Sequence, residues 1–174
     1  MPEVDVAREK AQRGGVVLVS PCAEDHASLR KIFRGSPWKL QPAFTLNDGL
    51  GLLSRNCDGI FVAICESSLP DGDWKLLMAE LDKMPVPPSL IVSSRLADDR
   101  LWAEVLNLGA FDLLACAPFI AEEVLRVTES AWRAASAAHE RKTAPRMPPS
   151  LARGYRSGSR HPGKPEKRTA ANGG

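Results

Sequence analysis

The sequence predicts an α/β protein built as a doubly wound parallel sheet, and three observations carry that expectation. Short apolar runs recur along the chain, each closed by Pro, Gly or a polar residue, as fully buried parallel strands are. Behind each run comes a segment whose apolar residues return at helical spacing. Strand and helix alternate five times in this way, and a parallel crossover needs an intervening helix that then covers one face of the sheet.

Gly14-Gly15 breaks a charged lead and opens onto Val16-Val17-Leu18-Val19, the first strand, which ends at Ser20-Pro21. A helix is expected from Glu24 to Phe33 on Ala27, Leu29, Ile32 and Phe33, stopped by Gly35-Ser36-Pro37. Trp38 to Phe44 reads as the second strand, and Asn47 to Arg55 as a short helix supported by Leu46, Leu50 and Leu53. The third strand is Ile60–Cys65, which runs into an acid, Glu66, and Trp74 to Leu81 forms the third helix. Pro85-Val86-Pro87-Pro88 then separates it from Leu90-Ile91-Val92, the fourth strand. Asp98 to Leu108 reads as the fourth helix, with Leu101, Val105 and Leu108 on one face and Gly109 as its C-terminal cap. Phe111 to Ala115 is the fifth strand, and the fifth helix runs from Ala121 to about Ala138.

Charge divides the chain more sharply than composition does. With 44% apolar and 25% charged residues over 174 positions, it has the make-up of an ordinary globular protein with a formal charge of +2. Residues 141–174, however, hold nine Lys/Arg and one acid, Glu166, which leaves residues 1–140 acidic. That basic stretch is rich in Pro, Gly and Ser and too poor in apolar side chains to offset chain entropy. The expected organisation is a flexible lead (1–15), one globular domain (16–140) and a disordered basic tail (141–174). No apolar run approaches the ~20 residues of a membrane-spanning helix, and Met1 to Arg13 lacks a secretory core, so a cytoplasmic location is expected.

Several chemistries find no support. The chain has no Gly-x-Ser-x-Gly, and His26 is the only histidine before the end of the expected fifth helix, so a nucleophile would lack a base. Gly14-Gly15 precedes a strand, whereas a phosphate loop follows one. Cys22, Cys57, Cys65 and Cys116 form no Cys-x-x-Cys pair. Cys22, Cys65 and Cys116 would gather with His26 at one sheet edge, but alternation along a strand turns Cys65 away from Glu66. Buried small thiols are expected there and no metal centre.

The segment Glu66-Ser67-Ser68-Leu69-Pro70-Asp71-Gly72-Asp73, with Asn107-Leu108-Gly109-Ala110 and Ala117-Pro118-Phe119, resembles the receiver domains of two-component response regulators. The likeness spans about Val16 to Ala138. It implies a flavodoxin-like (βα)5 sheet of order 2-1-3-4-5 and a site at the C-terminal edge of the strands. In that family an acidic pair and an acceptor Asp hold Mg²⁺, while a Ser/Thr and a Lys grip the phosphoryl group.

This chain departs from that pattern at most positions. Ser20 and Pro21 stand where the acidic pair belongs, and neither is a good Mg²⁺ ligand. Glu24 and Asp25 lie close by, but as the opening acids of the first helix they are expected to serve its dipole. Glu66 takes the acceptor position, one methylene longer than Asp, as an inert acid or as a standing mimic of the phosphorylated state. The Ser/Thr position falls on Ser94, or on Ser93 with one inserted residue, and either could donate to Glu66. The Lys position is lost to Ala117, with Cys116 before it, and the aromatic switch position is Phe111. Mg²⁺ binding is therefore expected to be lost or weak, and no other cofactor is implied.

The resemblance implies a degenerate, non-enzymatic receiver that works by protein–protein contact, its partner a histidine kinase or another signalling protein. A homodimer through the face of fourth helix, fifth strand and fifth helix is a further expectation, with Trp102 and Trp132 as candidate interface residues; both also suit a core at helical spacing, Trp132 more than Trp102. One alternative is a conventional phosphorelay receiver with an atypical acceptor, Glu66, Asp71 or Asp25. Another is nonspecific nucleic-acid binding through the basic tail, by charge alone.

Overall fold

The computed structural model describes residues 14–55, 59–116 and 118–143. Residues 1–13 of the expected lead, Cys57, Ala117 and the tail from residue 144 onward fall outside these residues, while Gly14 and Gly15, expected in the lead, open the first strand.

A parallel five-stranded sheet forms the middle layer. Its strands are β1 (Gly14–Val19), β2 (Trp38–Ala43), β3 (Ile60–Glu66), β6 (Ser89–Ser94) and β7 (Asp112–Ala115), in the order β2-β1-β3-β6-β7. Two further strands, β4 (Ser68–Leu69) and β5 (Gly72–Asp73), make a small antiparallel hairpin outside the sheet. With that hairpin set aside, the order is the expected 2-1-3-4-5, and the architecture is a flavodoxin-like doubly wound α/β fold.

Helices cover both faces, which is why the central strands carry uninterrupted apolar runs. Helices α2 (Leu46–Arg55), α3 (Trp74–Leu81) and α4 (Asp99–Asn107) pack with Val17, Val19, Ala63, Cys65 and Val92. Helices α1 (Ala23–Phe33) and α5 (Ala121–Thr143) cover the opposite face over Val16, Leu18, Val62, Ile64, Ile91 and Leu114. Neighbouring residues on each strand thus feed opposite cores, as the pleat requires. The two edge strands differ in their defence: β2 carries Pro42, which offers no ladder donor, and β7 is short.

Helix ends follow local chemistry. Asp73 caps α3 by accepting from the Leu76 amide at 2.9 Å, and Asp98 caps α4 by accepting from Leu101 at 2.7 Å. Gly109 lies just beyond α4 at φ +98°, the left-handed conformation that suits glycine. α5 continues past the expected Ala138 to Thr143, where Lys142 Nζ donates to the Pro85 carbonyl. No described helix is long and apolar enough to cross a membrane.

Packing of α2 on β1 leaves no room for a side chain at Gly49. A Cβ there would lie 2.6 Å from Val19 Cγ2, on a fully buried strand. The overpacking cost, about 1–3 kcal/mol, should exceed the helix-propensity gain of up to about 1 kcal/mol. Gly49→Ala should therefore lower the urea midpoint. Adding Val19→Ala should yield a double variant more stable than the sum of the two single losses, because the truncated strand residue makes the space.

Candidate functional site

The C-terminal ends of β1, β3, β6 and β7 converge at one edge of the sheet, where chains of this topology place their chemistry. Glu66 closes β3 and Ser93-Ser94 close β6, with Glu66 and Ser93 paired in register. Ser20 follows β1, and Cys116 follows β7. Asp25 and His26 reach the same edge from the first turn of α1.

Both carboxylates at this edge are buried: Asp25 is 3% exposed and Glu66 is 7% exposed. Two such charges side by side need a positive partner. Arg95, the residue after β6, supplies it. Its Nη2 donates to Asp25 Oδ1 at 2.7 Å, and its Nη1 lies 3.5 Å from Glu66 Oε2. The guanidinium thus bridges α1 and β3 from the strand beside β3.

Hydroxyls and thiols complete the shell. Ser20 Oγ donates to Asp25 Oδ2 at 2.7 Å and accepts from the Cys22 amide, so Asp25 is held from both sides. Cys116 Sγ lies 3.4 Å from Glu66 Oε2. Ser67 Oγ lies 3.4 Å from Glu66 Oε1 and 3.1 Å from Ser94 Oγ, while Ser94 Oγ accepts from the Leu96 amide. One assignment of protons satisfies all of these: Ser94 donates to Ser67, and Ser67 donates to Glu66. His26 Nε2 is bonded to the Ser20 carbonyl at 2.8 Å, and its ring stacks on Phe44.

Burial dominates the site's protonation. It pushes the Glu66 carboxyl above its ordinary range, reinforced by Asp25 and opposed by Cys116, Arg95 and Ser67. Burial also pushes the Cys116 thiol up to about 12, helped by the Glu66 charge, so this sulfur is a poor nucleophile. Cys65 is raised too, first by burial, and belongs to the opposite core, as strand alternation requires.

Several sequence expectations need correction. Asp25 and Glu24 do not share one role: Glu24 is exposed, whereas Asp25 turns inward and joins the site. Ser93 and Ser94 do not donate to Glu66 directly; Ser94 reaches it through Ser67, and Ser93 Oγ has no hydrogen-bond partner among the described residues. Asp71 serves a helix end. Its carboxylate takes the amides of Leu46 (2.7 Å) and Asn47 (3.0 Å) and so caps α2 from the hairpin. Trp132 packs edge-to-face on Trp38 with ring centroids 5.5 Å apart, against the α1–α5 core, and lies apart from Trp102. Trp102 is 51% exposed on α4. Ser20 and Glu66 lie where expected; Pro21 is exposed beside them, and Phe111 is half-buried just before β7. Arg95 carries no motif that would single it out in the sequence, and Ser67 lies within the Glu66–Asp73 segment without being distinguished there.

Mg²⁺, which the resemblance to receiver domains implies for such an edge, does not fit these residues. It demands near-octahedral oxygen ligands and keeps several waters. Here a thiol borders Glu66, and a guanidinium already bridges the two carboxylates.

Comparison with known proteins agrees with the fold. No family model matches the chain, and no curated protein matches it. Solved structures do. The signal receiver domain of an HD-domain-containing protein from Pseudomonas fluorescens Pf-5 superposes with a TM-score of 0.66 at 22% identity, covering 75% of this chain and 94% of its own. A response regulator receiver domain protein from Clostridium thermocellum gives 0.64 at 16% identity, over 71% and 98%. CheY in a CheX–CheY–BeF3–Mg²⁺ complex from Borrelia burgdorferi gives 0.62 at 17% identity, over 68% and 89%. The described domain therefore has the receiver fold.

The cap formed by Asp71 sets a pH dependence. The two amide bonds hold its carboxyl below the ordinary 3.8, so the stability it contributes is present above that pH. It is lost as pH falls through the lower folded value. Asp71→Ala should lower the melting temperature at pH 7, and the gap to wild type should close below about pH 3.8.

Proposed function

We propose that this chain is a receiver-fold signalling domain that works by protein–protein contact without Mg²⁺-dependent phosphorylation. Its place would be in two-component signalling, in the cytoplasm, with a histidine kinase or another signalling protein as partner. It would perform no catalysis of its own.

The observation that carries the reading is the Arg95 clasp. A phosphoryl group arriving at β3 needs a metal bridging it to carboxylates, and cationic donors left free to receive it. Here the guanidinium at the edge is committed to Asp25 and Glu66, and the acceptor position holds Glu. Glu66 is itself wrapped by Ser67, Cys116 and Arg95.

The partner surface is best assigned to the face of α4, β7 and the start of α5. Trp102 and Leu106 lie one turn apart on α4, both exposed, with exposed Leu108 following. Aromatic anchors of this kind carry much of the energy of interfaces. The Borrelia burgdorferi neighbour was captured in complex with another protein, which is consistent with a receiver fold serving as a docking module. A second copy of this chain is the partner that the exposed face would take in a homodimer.

Two measurements test the proposal. Titration with Mg²⁺ and then beryllofluoride, followed by amide NMR shifts around Ser20, Glu66 and Ser94, should produce no saturable change. Saturable shifts spreading into α4 would overturn it. Trp102→Glu should reduce self-association or partner capture in sedimentation velocity while leaving stability within about 0.5 kcal/mol, as exposed substitutions do. An undiminished association would move the interface elsewhere.

A further inference from the structure

The sheet-edge cluster has donor chemistry of its own, and its use for another ion rests on the reading that Mg²⁺ is not its cation. Asp25 and Glu66 each offer a carboxylate oxygen and Cys116 offers its sulfur, and these three atoms all lie within 4.8 Å of one another. They arrive from three separate parts of the fold: the first turn of α1, the end of β3 and the residue after β7. All three residues are buried. A fourth group sits beside them. Ser93 is the register partner of Glu66, so its side chain stands on the same side of the sheet. It is fully buried, and its Oγ has no hydrogen-bond partner among the described residues. A buried hydroxyl left unpaired is a cost that a ligand or its attendant water would recover.

The donor types select the cation. Two carboxylates with one thiol are poorly matched to a hard ion that binds oxygen alone. They suit a borderline ion such as Zn²⁺, which takes sulfur and carboxylate oxygen together and works with three protein ligands and an open position. The guanidinium of Arg95 already touches both carboxylates, so a positive charge is stabilised at this point. Its side chain is 41% exposed, which gives it a route outward to solvent.

We propose that Asp25, Glu66 and Cys116 are the ligands of a latent site for a thiophilic divalent cation of the Zn²⁺ class, whose place the Arg95 guanidinium holds. Binding requires two events. The guanidinium leaves both carboxylates for solvent, and the Cys116 S–H bond breaks, its proton passing to water as the sulfur–metal bond forms. No electron is transferred, and the metal itself offsets the cost of forming the thiolate.

The test uses the full chain and Co²⁺, a spectroscopically visible stand-in for Zn²⁺. Arg95→Met should bind Co²⁺ about tenfold more tightly than wild type or better, because no guanidinium then has to leave the carboxylates before the metal enters. Binding should bring a near-ultraviolet thiolate-to-cobalt absorption, and Cys116→Ser in the Arg95→Met background should remove it. Equal affinity in wild type and Arg95→Met would overturn the proposal, because the guanidinium would then not hold the place. A thiolate band that is missing, or that survives Cys116→Ser, would overturn it as well. If Arg95→Met does not fold, as judged by circular dichroism, Arg95→Gln takes its place with the same readouts, and the same results support or overturn the proposal. A wild-type response to Mg²⁺ and beryllofluoride would defeat the proposed function instead, whatever cobalt does in the variants.

Discussion

Two buried carboxylates at one sheet edge need a positive charge, and Arg95 provides it from the neighbouring strand. The rest of the edge is arranged around that contact. Asp25 is oriented by Ser20, Glu66 by Ser67 and Cys116, and the chain leaving β6 is fixed by the Leu96 amide on Ser94. Fully buried pairs lose about 3–5 kcal/mol when one member is removed, whereas exposed pairs are worth about 0–1 kcal/mol. With Asp25 buried and the guanidinium 41% exposed, this clasp lies between those limits. Its effect is as much directional as energetic, since it ties α1, β3 and β6 to one another.

The fold makes this concentration of charge unavoidable. In a parallel sheet every strand ends at the same edge, so side chains just past β1, β3, β6 and β7 meet whatever their separation in sequence. Arg95 and Asp25 are 70 residues apart. The β4–β5 hairpin adds a second long-range constraint by carrying Asp71 to the N-terminus of α2, where two otherwise unpaired amides point. An acid that looks like part of a site is in this way consumed by a helix end.

How much of this was legible in the sequence depends on the length scale involved. Strands buried on both faces write continuous apolar runs, so the five units could be read directly, while their order came only from the resemblance to receiver domains. The hairpin has two residues per strand and leaves no periodic trace. Asp25 carried a usable signal: it stands four residues before Leu29, on the stripe that α1 buries, while Glu24 falls on the outer face. Reading both acids as helix-dipole partners ignored that phase. The core placement of Trp132 was legible too, since it lies beside Ala131 and Ala135 on the buried side of α5. Arg95 was not recoverable in this way. A long side chain after a strand can turn to solvent or inward, and only the two carboxylates brought in by other elements decide between them.

A cation supplied by the chain behaves differently from one supplied by solvent. A bound ion comes and goes with its concentration, so an edge that depends on one can occupy two states. A guanidinium tethered to the backbone stays within reach of the carboxylates at any ion concentration, and Arg side chains remain charged across the whole physiological range. The Asp25 charge raises the Arg95 proton affinity further. Arg95 lies three residues before Asp98, whose side chain caps α4 by accepting from the Leu101 amide. The exposed Trp102 and Leu106 thus stand on a helix that begins within a few residues of the clasp, so the charged edge and the apolar surface are close neighbours along the chain.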